Sequence, residues 1–229
     1  MLSGALHHWN DIHYLVFSVA AASPSILIPA FCHARSNSAQ PWWNSYWFKL
    51  NVWVGIVVFF GTYIGTAYFF DLMGMRYNFD VQWNYSSDVV GKSGQQVPVF
   101  MYPLTHAYFM SYFVILVVVD RCIVHGVRLG RVGGLAVLLG LSYALAFAET
   151  YFMAAEVLSD FFLYEDRSRM LRVGSFGYAT YFVVGLPVIR RMDRDGDIWT
   201  LQRVIMEALA SCMAIMLLLE LWSKAMGPL

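Results

Sequence analysis

The chain has 229 residues, 59% of them hydrophobic and 13% charged, about half the usual charged share. One soluble domain of this length cannot hide so much apolar side chain, so the surrounding solvent is a bilayer. Lys and Arg number 15, as do Asp and Glu, which removes the electrostatic footprint of a nucleic-acid binder. Cys32, Cys122 and Cys212 are too scattered for a zinc site or a disulfide framework.

Six apolar runs, near residues 13–31, 47–70, 99–119, 133–155, 171–189 and 204–222, are long enough to cross the hydrocarbon core, which takes about 20 residues of helix. They are continuously apolar and not alternating, which argues against β spans. The expected fold is an all-α polytopic membrane protein, one bundle of about six transmembrane helices over residues 1–229. No internal repeat relates the six runs, which argues against an inverted-repeat transporter. The stretch from Met1 to Asp11 has neither a basic start nor a small-residue cleavage pattern, so no removable signal peptide is expected.

Pro24 and Pro29 should bend the first span. The connection after it ends in Pro41-Trp-Trp-Asn-Ser-Tyr-Trp47, an aromatic belt for the headgroup level. The second connection, residues 71–98, is the longest and contains Gly91-Lys-Ser-Gly-Gln-Gln, the composition of a mobile loop or lid. Connections one, three and five hold Arg35, Lys49, Arg121, Arg128, Arg131, Arg190, Arg191, Arg194 and Arg203. The opposite side holds Arg76, Lys92, Arg167, Arg169, Arg172 and Lys224. Nine against six puts the odd connections in the cytosol.

The fourth span carries an acid, Glu149. An ionisable residue at that depth costs at least ~2.5–3.5 kcal/mol on insertion scales, so something should offset it. The bland reading is a protonated acid bonded to a neighbouring helix. The functional reading starts from depth. Glu149, His106, Tyr63 and Tyr178 each lie about seven residues from the same face of the bilayer, roughly 10 Å deep at 1.5 Å per residue. Ser142, Glu149, Phe152 and Glu156 follow helical spacing, as do His106, Tyr102, Phe109, Met110 and Phe113. So do Trp53, Phe60, Tyr63 and Phe70 on the second span, and Gly174, Tyr178, Tyr181 and Phe182 on the fifth. An aromatic pocket holding few polar groups is the usual composition of a small-molecule site.

A set of residue blocks stands in order along the chain: Tyr46-Trp47-Phe-Lys49-Leu-Asn51-Val-Trp53, Tyr68-Phe-Phe-Asp-Leu-Met-Gly74, Thr105-His106, Leu141-Ser142-Tyr143 and Glu149-Thr150. They continue through Asp166-Arg167-Ser168, Arg172-Val173-Gly174, Tyr178, Tyr181-Phe182, Arg191-Met192-Asp193, Trp199, Arg203-Val204, Leu221-Trp222 and Gly227-Pro228. In these blocks and their order the chain resembles the cycloeucalenol cycloisomerase (cyclopropyl sterol isomerase) family. Plant members usually have a further apolar segment upstream. Ala67 and Phe113 stand where the plant proteins are expected to have histidines, which shifts weight to His106.

The resemblance implies a cofactor-free reaction on a sterol, opening a 9β,19-cyclopropane ring to leave an 8,9 double bond. The sequence shows neither a glycine-rich nucleotide loop nor a metal-ligand cluster. On this reading Glu149 is the proton donor, since a carboxyl held away from water resists ionisation. His106 is the candidate base. Tyr63, Tyr178, Tyr181 and Trp53 would face the cation. Asp166 and Arg172, or Asn51, would anchor the sterol hydroxyl. The expected protein is an integral membrane enzyme of the endoplasmic reticulum whose partners are the sterol and the bilayer. Two alternatives remain at this stage: another sterol double-bond isomerase, and a non-enzymatic sterol-binding or transport protein.

Overall fold

The computed structural model describes every residue except 1–3, 5, 37–40, 128, 195 and 228–229. Arg128 of the charge count and Pro228 of the closing motif therefore lie outside the described residues. The chain is a bundle of apolar helices: α1 (Asp11–Ala22), α2 (Pro24–Arg35), α3 (Tyr46–Phe60), α4 (Thr66–Met73), α5 (Met101–Val127), α6 (Arg131–Met153), α7 (Ser175–Arg191) and α8 (Leu201–Met226). Among the described residues, five stretches are long and apolar enough to cross a membrane, namely Asp11–Arg35, Tyr46–Met73, Met101–Val124, Arg131–Met153 and Leu201–Met226. The remaining one, α7, has 17 residues with Pro187 inside it. A π turn at Met170–Gly174 lengthens it at its N-terminus. The protein is thus an integral membrane protein of the polytopic helical class.

Local chemistry explains the breaks. Asn10 caps α1 by accepting from the His13 N–H at 3.1 Å, and the first span splits at Pro24, which cannot donate to the turn before it. The second span is interrupted by a π turn, Gly61–Gly65, that joins α3 to α4. Both glycines are needed there because the Tyr181 ring lies on the turn, and a Cβ at Gly61 or Gly65 would collide with that ring or its hydroxyl.

α3, α5, α6, α7 and α8 pack in a closed ring, each against the next, while α1 lies outside against α5 and α2 against α3. At one end of the ring the connections contribute a small cover. Strand β1 (Met75–Tyr77) pairs antiparallel with β2 (Phe162–Tyr164) in the register Met75↔Tyr164, Arg76↔Leu163, Tyr77↔Phe162. Period-two alternation turns Met75, Tyr77, Phe162 and Tyr164 to one face. Arg76 stands on the other, where it pairs with Glu165 at 2.9 Å.

The long connection, expected as a mobile loop or lid, is pinned along its length. Asp11 accepts from the Gln82 and Trp83 N–H groups, Asp71 accepts from those of Lys92 and Ser93, and the Ser87 N–H donates to the Tyr63 carbonyl. At the opposite end of the bundle the ion pairs Lys49–Asp193 and Arg190–Asp120 join elements far apart in sequence.

Candidate active site

The site is built around Glu149, four residues before the end of α6. Its side chain faces inward, leaving the residue 7% exposed. Its Oε2 is buried with no hydrogen-bond partner among the described residues. The seam with α7 fixes this turn of helix. The Ser175 hydroxyl donates to Thr150 Oγ1 at 3.3 Å, and Thr150 Oγ1 donates to the Ala146 carbonyl at 2.8 Å. The expected stripe on α6 is kept at Ser142, which is fully buried, and is lost beyond Glu149. Phe152 is 69% exposed and Glu156 lies past the end of the helix, because a short 3₁₀ turn, Glu156–Leu158, replaces its continuation.

The carboxyl lies within electrostatic reach of six phenols. Tyr108 and Tyr112 come from α5, Tyr178 and Tyr181 from α7, and Tyr77 and Tyr164 from the covering sheet. Burial, and after it the nearby Glu149, holds the Tyr77 and Tyr164 phenols above the ordinary tyrosine range, so both stay protonated. Tyr164 approaches Tyr178 without closing a hydrogen bond, and its hydroxyl is buried and unpartnered among the described residues. Tyr108 donates to Thr105 Oγ1 at 2.9 Å. Tyr178 packs on Phe69 at 4.3 Å between centroids.

Tyr77, Tyr108, Tyr178 and Tyr181, with Thr62, Thr66, Thr105, Phe69 and Phe109, line a cavity of about 40 Å³. That is far below the ~300 Å³ at the small end of ligand pockets, so a large substrate enters only if side chains move. A second cavity, about 240 Å³, lies between Tyr63, Ala67, Phe70 and the long connection.

The structure therefore gathers Glu149, Tyr178 and Tyr181 and sets the other expected residues apart. His106 is two residues from Tyr108, a rotation of about 200° on a helix, and faces the other way. Its Nε2 lies 3.0 Å from Asn51 Oδ1, and its ring packs beside Gly55. Asn51 in turn donates to the carbonyls of Ser25 and Trp47, at 3.1 and 2.9 Å. Tyr63 stacks on Phe59 and Tyr85, bracing the long connection. Trp53 is fully buried against Phe113, with ring centroids 5.4 Å apart.

Asp166 caps a single helical turn by accepting from the Arg169 N–H at 2.8 Å, and Arg172 donates to the Ser168 carbonyl at 3.2 Å. Neither lines the central cavity. Sequence reasoning missed Tyr77, Tyr108, Tyr112 and Tyr164. Tyr108 and Tyr112 had a findable signal, since both share helical spacing on the third span.

A buried carboxyl held among phenols inside a ring of transmembrane helices defines a class: an integral membrane protein equipped to keep an acid dry beside an aromatic cavity. Comparison with known proteins narrows this. The chain is 32% identical to the cycloeucalenol cycloisomerase of Arabidopsis thaliana over 229 residues, covering 96% of this chain and 76% of that one. No family model matches the sequence. No solved structure matches it either. The chain belongs to the cycloeucalenol cycloisomerase family.

Proposed function

We propose that this protein is a sterol isomerase that opens the 9β,19-cyclopropane ring of a cycloeucalenol-type sterol and yields an 8-ene sterol such as obtusifoliol. The observation that carries the reading is the Glu149 carboxyl, buried in a membrane helix with an unpartnered oxygen and surrounded by phenols. It occurs in a chain whose family includes a named cycloeucalenol cycloisomerase.

A cyclopropane is a weak base, so its protonation needs a neutral acid away from water. Burial supplies the dry surroundings, and the Glu149 carboxyl is the acid they hold. Protonation of the ring methylene leaves a tertiary cation at C9. The ring faces of Tyr178 and Tyr181 offer it negative quadrupole, worth ~2 kcal/mol or more once water is excluded. Loss of the neighbouring proton completes the isomerisation with no redox change. The endoplasmic reticulum is the membrane where such a sterol reaction belongs.

The direct test is incubation of membranes containing this chain with cycloeucalenol, followed by product analysis. Conversion to an 8-ene with a new C19 methyl is expected. Unchanged sterol, in preparations that bind it, would leave a binding protein instead. Conversion of 8-ene sterols alone would leave a double-bond isomerase.

A further inference from the structure

The proposed chemistry moves a proton from Glu149 to a ring carbon, yet Glu149 is not among the residues lining the central cavity. Four phenols both line the cavity and stand within electrostatic range of the carboxyl, those of Tyr77, Tyr108, Tyr178 and Tyr181. Their surroundings differ. Tyr108 already donates to Thr105 Oγ1. The Tyr181 hydroxyl is lodged against the Gly61–Gly65 turn. Tyr77 belongs to the covering sheet, its ring edge-on to Phe70 at 5.3 Å.

Tyr178 stands on the α7 seam itself, one helical turn beyond Ser175. Ser175 is bonded to Thr150, the residue next to Glu149. The Tyr178 ring is held against Phe69, and near it stands the Tyr164 hydroxyl of the covering sheet, unpartnered among the described residues.

We infer that Tyr178 is a catalytic residue whose phenol carries the proton between Glu149 and the sterol in both directions. The inference rests on the isomerase reading above. In the first step the carboxyl proton passes to the Tyr178 oxygen as the phenol's own proton passes to the cyclopropane methylene. The C9–C19 bonding pair becomes the new C19–H bond, C9 is left cationic, and Glu149 is left as carboxylate. In the second step the C8 proton passes to the Tyr178 oxygen as the phenol's proton returns to Glu149. The C8–H pair becomes the C8–C9 double bond. Protons balance, nothing is oxidised, and no phenolate forms. One carboxyl serves as acid and then as base, which explains how the reaction runs with His106 turned toward Asn51.

The test is Tyr178→Phe, which keeps the ring face and removes the hydroxyl. Single-turnover conversion of cycloeucalenol should fall at least about 100-fold, with the sterol concentration for half-saturation unchanged. A near-native rate overturns the relay and leaves Tyr178 an aromatic wall. Should that variant fail to fold, the wild-type protein decides the matter through its single-turnover rate in mixtures of light and heavy water. Two protons in flight give a bowed dependence on deuterium fraction, and a straight or flat one overturns the relay. Failure of the function itself looks different, because wild-type protein would then not open the ring at all.

Discussion

Lys49 and Asp193 meet inside the protein although 144 residues separate them, with Nζ donating to the two carboxylate oxygens at 3.0 and 2.8 Å. Lys49 is fully buried. Asp193 takes a left-handed backbone, φ 55°, and its Oδ1 also accepts from the Trp199 N–H at 2.8 Å. This knot ties the start of α3 to the turn between α7 and α8. Lys49→Met leaves the carboxylate without its partner, and breaking a buried pair costs about 3–5 kcal/mol. Asp193→Asn keeps an acceptor for Trp199 and tolerates the left-handed backbone, so the double variant should regain most of the loss. Thermal unfolding in detergent measures this, and strictly additive losses would count against a buried pair.

The π turn gives a second prediction. Replacing Gly65 by Ala drives a methyl into the Tyr181 hydroxyl, while the next nearest atoms, Tyr181 Cζ and Leu219 Cδ1, stand at 3.5 and 3.6 Å, ordinary contact distances. Gly65→Ala alone should destabilise the fold by about 1–3 kcal/mol, the usual cost of overpacking. Tyr181→Phe removes the obstructing oxygen and should recover most of that loss in the double variant. A cycle of unfolding measurements that shows no coupling between the two positions would contradict this packing.

The spans were legible because bilayer thickness imposes a length on any apolar helix, and Pro24 announced the break in the first of them. The π turns were not, since one inserted residue leaves the apolar pattern unchanged. Nor was the covering sheet, whose strands are three residues each. Glu149 stood out as an acid in an apolar run. What depth could not give was rotation. His106 and Tyr178 lie at similar depth, yet α5 turns His106 to Asn51 while α7 turns Tyr178 to the cavity. Tyr77 and Tyr164 arrive from connections, where hydropathy carries no signal about what they cover.

The contact between His106 and Asn51 predicts a structural pair. His106→Ala should cost about 1 kcal/mol, the net worth of a typical hydrogen bond, and Asn51→Ala more, because Asn51 also holds the carbonyls of Ser25 and Trp47. The double variant should lose less than the sum, because either change alone already breaks the bond. Turnover per folded molecule in His106→Ala should stay within about tenfold of native. A fall of 10²–10⁴-fold, the range for removing a general base, would return His106 to the chemistry.

Glu149 yields the sharpest separation of stability from activity. A buried carboxyl oxygen without a partner is a standing cost of about 1–3 kcal/mol. Glu149→Leu removes the polar group and fills similar space, so the variant should unfold at higher temperature than the native protein while failing to open the ring. Glu149→Gln keeps the shape but has no acidic proton to give, and its turnover should fall by at least about 10²-fold with sterol binding retained. A residue kept only to hold α6 against α7 predicts the reverse pattern, lower stability in both variants and activity that follows the folded fraction. Measuring unfolding temperature and turnover on the same preparations decides between them, because a group retained against stability is one the protein keeps for its chemistry.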